Sequence, residues 1–175
     1  MKKKLLSILY AFMASVLFTT SALAGGSVKL SIITFSLGSL IADGTLVGLS
    51  RTDVTVVLDA SGTPVITCIN NGSNAVAAQS YPRLTSSGQQ TLPGNDPLRK
   101  NGKAAFGVET NDPEYLAGDI AGCPNSNWLG RIDFVFWTNA TVSVYDTATN
   151  ALLLKQDYVC TTTRYPASVS CTAIP

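Results

Sequence analysis

From position 27 onward, apolar residues recur at every second position in short runs, and turn-forming residues separate these runs. A period of two is typical of half-buried β-strands. The pattern predicts strands over residues 28–35, 45–49, 54–58, 65–69, 75–81, 83–86, 104–108, 132–137, 142–144 and 152–158, followed by a hairpin that carries the last two cysteines. Turns are predicted at residues 43–44, 61–64, 70–72 and 146–150.

The number and spacing of these strands indicate the fold class. About nine or ten short strands, turn signals roughly every 8–12 residues and no amphipathic helix favour a single-domain antiparallel β-sandwich, immunoglobulin-like in the broad sense. A true immunoglobulin domain is disfavoured because Trp128 follows Cys123 instead of lying between Cys68 and Cys123. A small barrel or a jelly roll is the alternative. In the segment 132–137, the alternation puts Ile132, Phe134 and Phe136 on one face and Asp133, Val135 and Trp137 on the other.

The first 24 residues have the organisation of a secretory signal peptide. Three lysines at positions 2–4 precede the apolar run 5–18, and Ala22-Leu23-Ala24 forms a cleavage motif. This run is shorter than the roughly 20 residues of a transmembrane helix. We therefore expect cleavage after Ala24, a β-sandwich domain at 25–175 with no membrane span, and a secreted, periplasmic or cell-surface location.

Removal of the signal peptide changes the charge of the protein. Three of the 12 basic residues leave with it, so nine remain against 11 acidic residues, and the net charge becomes slightly negative. Nucleic-acid binding needs clustered lysines and arginines. The composition therefore argues against a nucleic-acid partner.

All four cysteines lie in the predicted mature domain, which indicates disulfides in an oxidising compartment. Four cysteines permit three connectivities, of which we favour Cys160–Cys171 with Cys68–Cys123. In a hairpin centred between residues 165 and 166, Cys160 and Cys171 are opposite each other, within disulfide range. A zinc site is disfavoured because no two cysteines have metal-ligand spacing and the chain contains no histidine.

The lack of histidine also removes the commonest general base and the usual partner of a serine or cysteine nucleophile. Paired carboxylates remain as a catalytic option, as in glycosidases. Most acidic residues fall at predicted turns, where they bond nearby backbone amides. The expectation is a protein without a cofactor and without enzymatic activity.

Two groups of residues are candidates for ligand binding. Four carboxylates in the segment 109–119 offer oxygens to calcium, although the spacing is not that of an EF-hand: Glu109, Asp112, Glu114 and Asp119. Exposed aromatic side chains offer stacking surfaces for sugar rings, and the candidates are Tyr115, Trp128 and Trp137. The alternatives are a metal-free surface loop, a core position for Trp137, and a Trp128 that covers a Cys68–Cys123 bridge.

Three segments carry a resemblance to other proteins: 65–72 (VITCINNG), 101–106 (NGKAAF) and 121–128 (AGCPNSNW). With them the chain resembles, from about Thr52 to Tyr145, a group of small exported bacterial proteins that are generally called hypothetical. The resemblance supports the pairing of Cys68 with Cys123 and implies no activity.

These observations predict an exported, non-enzymatic protein that acts through its surface as a cell-surface, adhesion or ligand-binding module. The expected partners are proteins or glycans of the cell envelope or the extracellular space. One alternative is a subunit of an extracellular filament in which residues 27–37 add to a neighbour's sheet. The other is a carboxylate-dependent glycosidase.

Overall fold

A computed structural model describes residues 27–175, and the predicted signal peptide lies outside the described residues. The described chain is all-β and contains no helix, hence none long and apolar enough to cross a membrane. Its strands are β1 (Lys29–Ser36), β2 (Ile41–Val47), β3 (Val54–Ile69), β4 (Ala75–Ala77), β5 (Leu84–Leu92), β6 (Ala104–Glu109), β7 (Tyr115–Ala117), β8 (Leu129–Asp146), β9 (Leu152–Arg164) and β10 (Ala167–Ala173).

These strands form two antiparallel sheets, which confirms the predicted β-sandwich. The small sheet has the order β1-β2-β6, and the large sheet has the order β10-β9-β8-β3-β4. In addition, β5 pairs with the first half of β3, and β7 pairs with the first residues of β8. The long strands β3 and β8 pair over their whole length and form the centre of the large sheet.

The inner face of the large sheet is defined by the even-numbered residues of β3, all of which are buried from Val54 to Cys68. Those from Val54 to Ala60 pack with residues of β2, β6 and β8 in the main hydrophobic core. A second, smaller cluster lies at the far end of β3 and consists of Ile66, Cys68, Ala78 and Ala121. The odd-numbered residues of β3 point to the opposite side, which we call the outer face.

Two predicted turns were wrong because the chain continues as a strand through them. Residues 61–64 lie within β3, where a register shift against β8 between Ser61 and Gly62 replaces the turn. Residues 43–44 lie within β2, and the turn before β2 instead spans residues 37–40, where Gly38 adopts a positive φ of 136°. Glycine accepts this backbone conformation without the strain that a side chain would add.

Both predicted disulfides are present. Cys160 and Cys171 are directly opposed in the β9–β10 hairpin, with their Cα atoms 4.0 Å apart. Cys68 and Cys123 are joined across 55 residues of sequence, with their Cα atoms 5.6 Å apart. The second bridge ties the 118–128 segment to the end of β3. Two such bridges are typical of an oxidising extracellular or periplasmic environment.

The two sides of the sandwich differ. On one side β5 and β6 are in contact, and the backbone N–H of Asn111 donates to the carbonyl of Ser87. On the other side, β1 and β10 are the terminal strands of their sheets, and a groove of about 480 Å³ lies between β1 and the β9–β10 hairpin.

Candidate functional site

A cavity lies where β5, β3 and the second half of β8 are adjacent, and we call it the polar groove. Its volume is about 700 Å³, and its lining consists of Asp59, Ala60, Ser61, Arg83, Thr85, Ser86, Ser87, Asn111, Asn139, Ala140 and Thr141. Six of these residues are cross-strand neighbours that form two rows. Ser87, Asp59 and Thr141 form one row, and Thr85, Ser61 and Asn139 form the other.

This register gives the polar groove a defined geometry. Side chains directly opposite on adjacent antiparallel strands have Cβ atoms about 4.5–5.5 Å apart. Each row therefore presents three polar groups at regular spacing. Since β3 is hydrogen-bonded on both sides at Asp59 and Ser61, its backbone groups are already used by neighbouring strands. A ligand here would be recognised through side chains.

Arg83 lies at one end of the polar groove and is hydrogen-bonded to a residue of β3. Its Nη2 donates a hydrogen bond of 2.7 Å to Ser61 Oγ, and Ser61 is 8% exposed. Thr138 Oγ1 donates to the carbonyl oxygen of Ser61, at the register shift of β3 against β8. These bonds fix the position of the guanidinium, whose remaining N–H groups can donate to a ligand.

Several groove side chains are available as hydrogen-bond acceptors. Thr141 donates its hydroxyl hydrogen to Asp157 at 2.6 Å, so its oxygen is free to accept from the groove side. This bond is the main reason why the pKa of Asp157 lies below its ordinary value. Asp59 adds a carboxylate to the lining. In the described part of the chain, Ser86 Oγ is buried without a hydrogen-bond partner.

Next to the polar groove, the outer face carries a group of aromatic residues that we call the aromatic strip: Phe134, Phe136 and Tyr165. Phe134 and Phe136 pack edge to face with ring centroids 5.1 Å apart. The guanidinium of Arg164 lies 6.0 Å from the centroid of Phe134 and 5.5 Å from that of Tyr165. The two phenylalanines are half-buried, whereas Tyr165 is 84% exposed.

Trp137 occupies the core position that was the alternative to its role as a ligand-binding candidate. Its side chain is 1% exposed and belongs to the main core, so it has no face available to a ligand. The reason is a register shift between β3 and β8 at Val65 and Ile66, which reverses the sides to which the following residues of β8 point. The same shift places Phe134 and Phe136 on the outer face, although they were predicted to share a face with Ile132.

The other two predicted aromatic residues lie away from the polar groove. Trp128 is half-buried and packs against the second cluster, which contains Cys68 of the Cys68–Cys123 bridge. Tyr115 is 47% exposed on the short strand β7. A hydrogen bond to the neighbouring carboxylate of Glu114, and the charge of that carboxylate, raise the pKa of Tyr115.

The predicted calcium ligands do not form a common site in the structure. Within residues 27–175, no three acidic, cysteine or histidine side chains lie close enough together to hold a metal ion. Glu109 ends β6, Asp112 and Glu114 lie in the following segment, and Asp119 lies beyond β7. Asp112 Oδ1 is buried without a hydrogen-bond partner among these residues, but it belongs to no group of three potential ligands.

An ionic cluster lies on the outer face beyond the aromatic strip. Arg131 Nε donates to Asp133 Oδ1 at 2.9 Å, and Thr67 Oγ1 donates to the other carboxylate oxygen. Burial raises the pKa of Asp133, but these hydrogen bonds together with the charges of Arg131 and Arg164 outweigh burial, and the pKa lies below its ordinary value.

The residues of the polar groove were not identified from the sequence. Their signal was the alternation of polar side chains opposite the apolar positions of β3 and β8, which does not reveal which strands are neighbours. No protein-family model matches the chain, and no curated protein or solved structure gives a significant match. The resemblance to the small exported bacterial proteins therefore stays a prediction.

Proposed function

We propose that the protein is an exported, non-enzymatic binding module that holds a polar ligand of the cell envelope or the extracellular space in the polar groove. The observation that carries this proposal is the two rows of hydroxyl, amide and carboxylate side chains on β5, β3 and β8. Because β3 and β8 are central in the large sheet and β5 pairs with β3 along its whole length, the groups are fixed before a ligand arrives, which lowers the entropy cost of binding. Immunoglobulin-like architecture in the broad sense is part of the same proposal.

The chemistry of the polar groove favours binding over catalysis. Asp59 is the one carboxylate among its described lining residues, whereas glycoside hydrolysis by the common mechanisms uses two. The chain offers no histidine to act as a base. The glycosidase alternative consequently has less support than a binding role.

Export is supported by the signal-peptide pattern and by the two disulfides. N-terminal sequencing of the protein recovered outside the cytoplasm should begin at Gly25. Recovery of the protein only from the cytoplasm, with Met1 or Lys2 at its start, would contradict export.

The binding role is tested with the purified, disulfide-bonded protein on intact bacterial cells and on an array of envelope and extracellular glycans. Replacing Thr85 and Asn139 together with alanine should weaken the binding at least about tenfold, because two hydrogen-bonding groups of one row are lost. Gln89→Ala is the matched control, since Gln89 lies on β5 outside the groove lining. Equal binding by all three proteins, or no binding on either support, would refute the proposal.

A second candidate function is a filament subunit assembled by strand addition, and the terminal position of β1 in the small sheet favours it. Residues 29–36 already pair with β2, so the outer edge of β1 is the one left for a neighbour. Ile32 is 65% exposed on this strand. Ile32→Lys should abolish concentration-dependent assembly seen by light scattering without lowering the melting temperature. A wild-type protein that remains monomeric at high concentration would exclude this candidate.

A further inference from the structure

The polar groove and the aromatic strip lie on the same face of the same pair of strands. Along β3, the outward residues follow in the order Asp59, Ser61, Thr63 and Val65. Their partners on β8 are Thr141, Asn139, Phe136 and Phe134, in the same order. The groove therefore passes into the strip without an intervening strand or loop. Polar groups occupy one half of this surface, and aromatic rings occupy the other.

The length of this surface sets the size of a ligand that covers both halves. Asp59 and Val65 are six residues apart on β3, which corresponds to roughly 20 Å at the rise of a strand. This distance is longer than a disaccharide. A ligand that contacts both Asp59 and Phe134 must therefore be an extended chain.

We propose that this surface is a single binding site for an extended glycan, with sugar hydroxyls in the polar groove and sugar rings against the aromatic strip. This inference rests on the function proposed above and adds the ligand class and the second half of the site. The acceptors at Asp59 and Thr141 suit the many hydroxyl donors of a sugar. Aromatic rings such as Phe134 and Tyr165 suit its apolar ring faces.

Two other classes of ligand fit this surface less well. An extended peptide gains its affinity from backbone hydrogen bonds to a free strand edge. Here β3 is paired with β8 throughout and with β5 as far as Gly62, so a peptide would have few backbone groups to bind. A nucleic acid would need a cluster of basic residues. The basic residues of the outer face are instead interspersed with acidic ones: Arg131 and Arg164 lie near Asp133, Lys155 is paired with Asp157, and the groove lining contains both Arg83 and Asp59.

Arg164 acts as a positioning residue within the aromatic strip. Its guanidinium contacts the rings of both Phe134 and Tyr165, so it holds the exposed tyrosine close to the half-buried phenylalanine. The neighbouring turn of the β9–β10 hairpin is anchored by Thr163, which donates to the carbonyl oxygen of Pro166. Tyr165 is therefore placed at the end of the surface farthest from Asp59.

The test is isothermal titration with size-graded oligosaccharides, from monosaccharide to hexasaccharide, of a neutral β-linked glucan, of chitin and of polygalacturonic acid. For the series that binds, affinity should rise at least about tenfold between the disaccharide and the hexasaccharide, as rings reach the aromatic strip. Tyr165→Ala should lower the affinity for the hexasaccharide to within about threefold of the affinity for the disaccharide. The affinity for the disaccharide itself should not change. Tyr81→Ala is the control, because Tyr81 is also an exposed tyrosine but belongs neither to the groove lining nor to the aromatic strip.

Phe134→Ala is a second variant of the aromatic strip, and we expect the same loss of hexasaccharide affinity from it. Because it removes a half-buried ring, its effect counts only if its melting temperature stays close to that of the wild type. Tyr165→Ala carries the test in either case, since its side chain packs little. Loss of binding in the Thr85/Asn139 variant with no effect of oligosaccharide length or of Tyr165→Ala would refute the extended site and leave the polar groove as the binding site. Absence of binding to all three series, or preference for an unstructured peptide, would also overturn the inference.

Discussion

Removal of the Cys68–Cys123 bridge should destabilise the protein more than removal of the Cys160–Cys171 bridge. In the chain-entropy model, a closed loop of 55 residues stabilises the folded state by about 4 kcal/mol, and a loop of 11 residues by about 3 kcal/mol. Burial does not offset this difference, because each bridge joins one buried cysteine, Cys68 or Cys160, to one half-buried cysteine. We therefore expect the double alanine variant at 68 and 123 to lose at least about 1 kcal/mol more than the variant at 160 and 171.

Removal of the Cys68–Cys123 bridge should also have a local effect on stability. The second cluster has four buried residues, and the bridge is its covalent link between β3 and the 118–128 segment. Without it, that segment should open more often than the main core. The backbone amides of Gln79 and Cys123, which donate to Gly122 and Gly118, would then exchange with solvent faster.

Equilibrium urea unfolding of both double variants measures the global effect, and hydrogen exchange measures the local one. The expected result is a lower urea midpoint for the 68/123 variant and faster amide exchange at Gln79 and Cys123. The amide of Val56 in the main core should exchange only as fast as the global stability of the variant predicts. A 160/171 variant that is the less stable of the two would refute the reasoning. Uniform acceleration of exchange across the chain would refute the local opening.

Three further substitutions test the packing and electrostatics. Gly88→Ala should lower the free energy of unfolding in urea by at least about 3 kcal/mol, because the new Cβ would overlap the carbonyl oxygen of Glu109. The control Gly72→Ala should change it by less than about 0.5 kcal/mol. Equal urea midpoints for the two variants would contradict this. Trp137→Ala should cost about 3–5 kcal/mol, and Trp137→Phe less, because the buried indole N–H has no partner among the described residues; equal costs would contradict it. The lowered pKa of Asp133 contributes stability above its unfolded-state pKa of about 3.9 that is lost as pH falls through the folded value. Asp133→Asn should therefore reduce the dependence of the free energy of unfolding on pH below pH 4. An unchanged pH dependence would refute this linkage.

The strands and the disulfides could be predicted because local signals determine them. The predicted alternation of buried positions is present along β3, and the β9–β10 hairpin has the register expected from its length. The turn at 61–64 was wrong because its proline signal has another explanation. On the side opposite β8, the pairing of β3 with β5 ends at Gly62, and the pairing with β4 begins at Thr67. Pro64 lies in this gap, where the missing N–H removes no hydrogen bond to a strand on that side.

The predicted turn at 43–44 failed for a different reason. Asp-Gly is a strong turn signal when only local conformation is considered. In the structure Gly44 is a strand residue, and a Cβ at this position would overlap the ring of Phe106 on the neighbouring strand β6. The glycine is therefore required by the packing of a residue that is distant in sequence, which a local pattern does not reveal.

The outer face depends on the register shifts of β8 in a way that joins the core to the proposed site. The shift at Val65 and Ile66 turns Val135 and Trp137 inward and Phe134 outward, and the shift at Ser61 and Gly62 restores inward positions at Ala140 and beyond. Without these shifts, strict alternation from Ile132 would bury both phenylalanines and expose the tryptophan. The irregularities that a period of two cannot predict are thus the ones that put aromatic rings beside polar side chains. Since such bulges are concentrated near functional sites, the position of one where the polar groove meets the aromatic strip and of the other at the far end of the strip supports the outer face of the large sheet as the binding face.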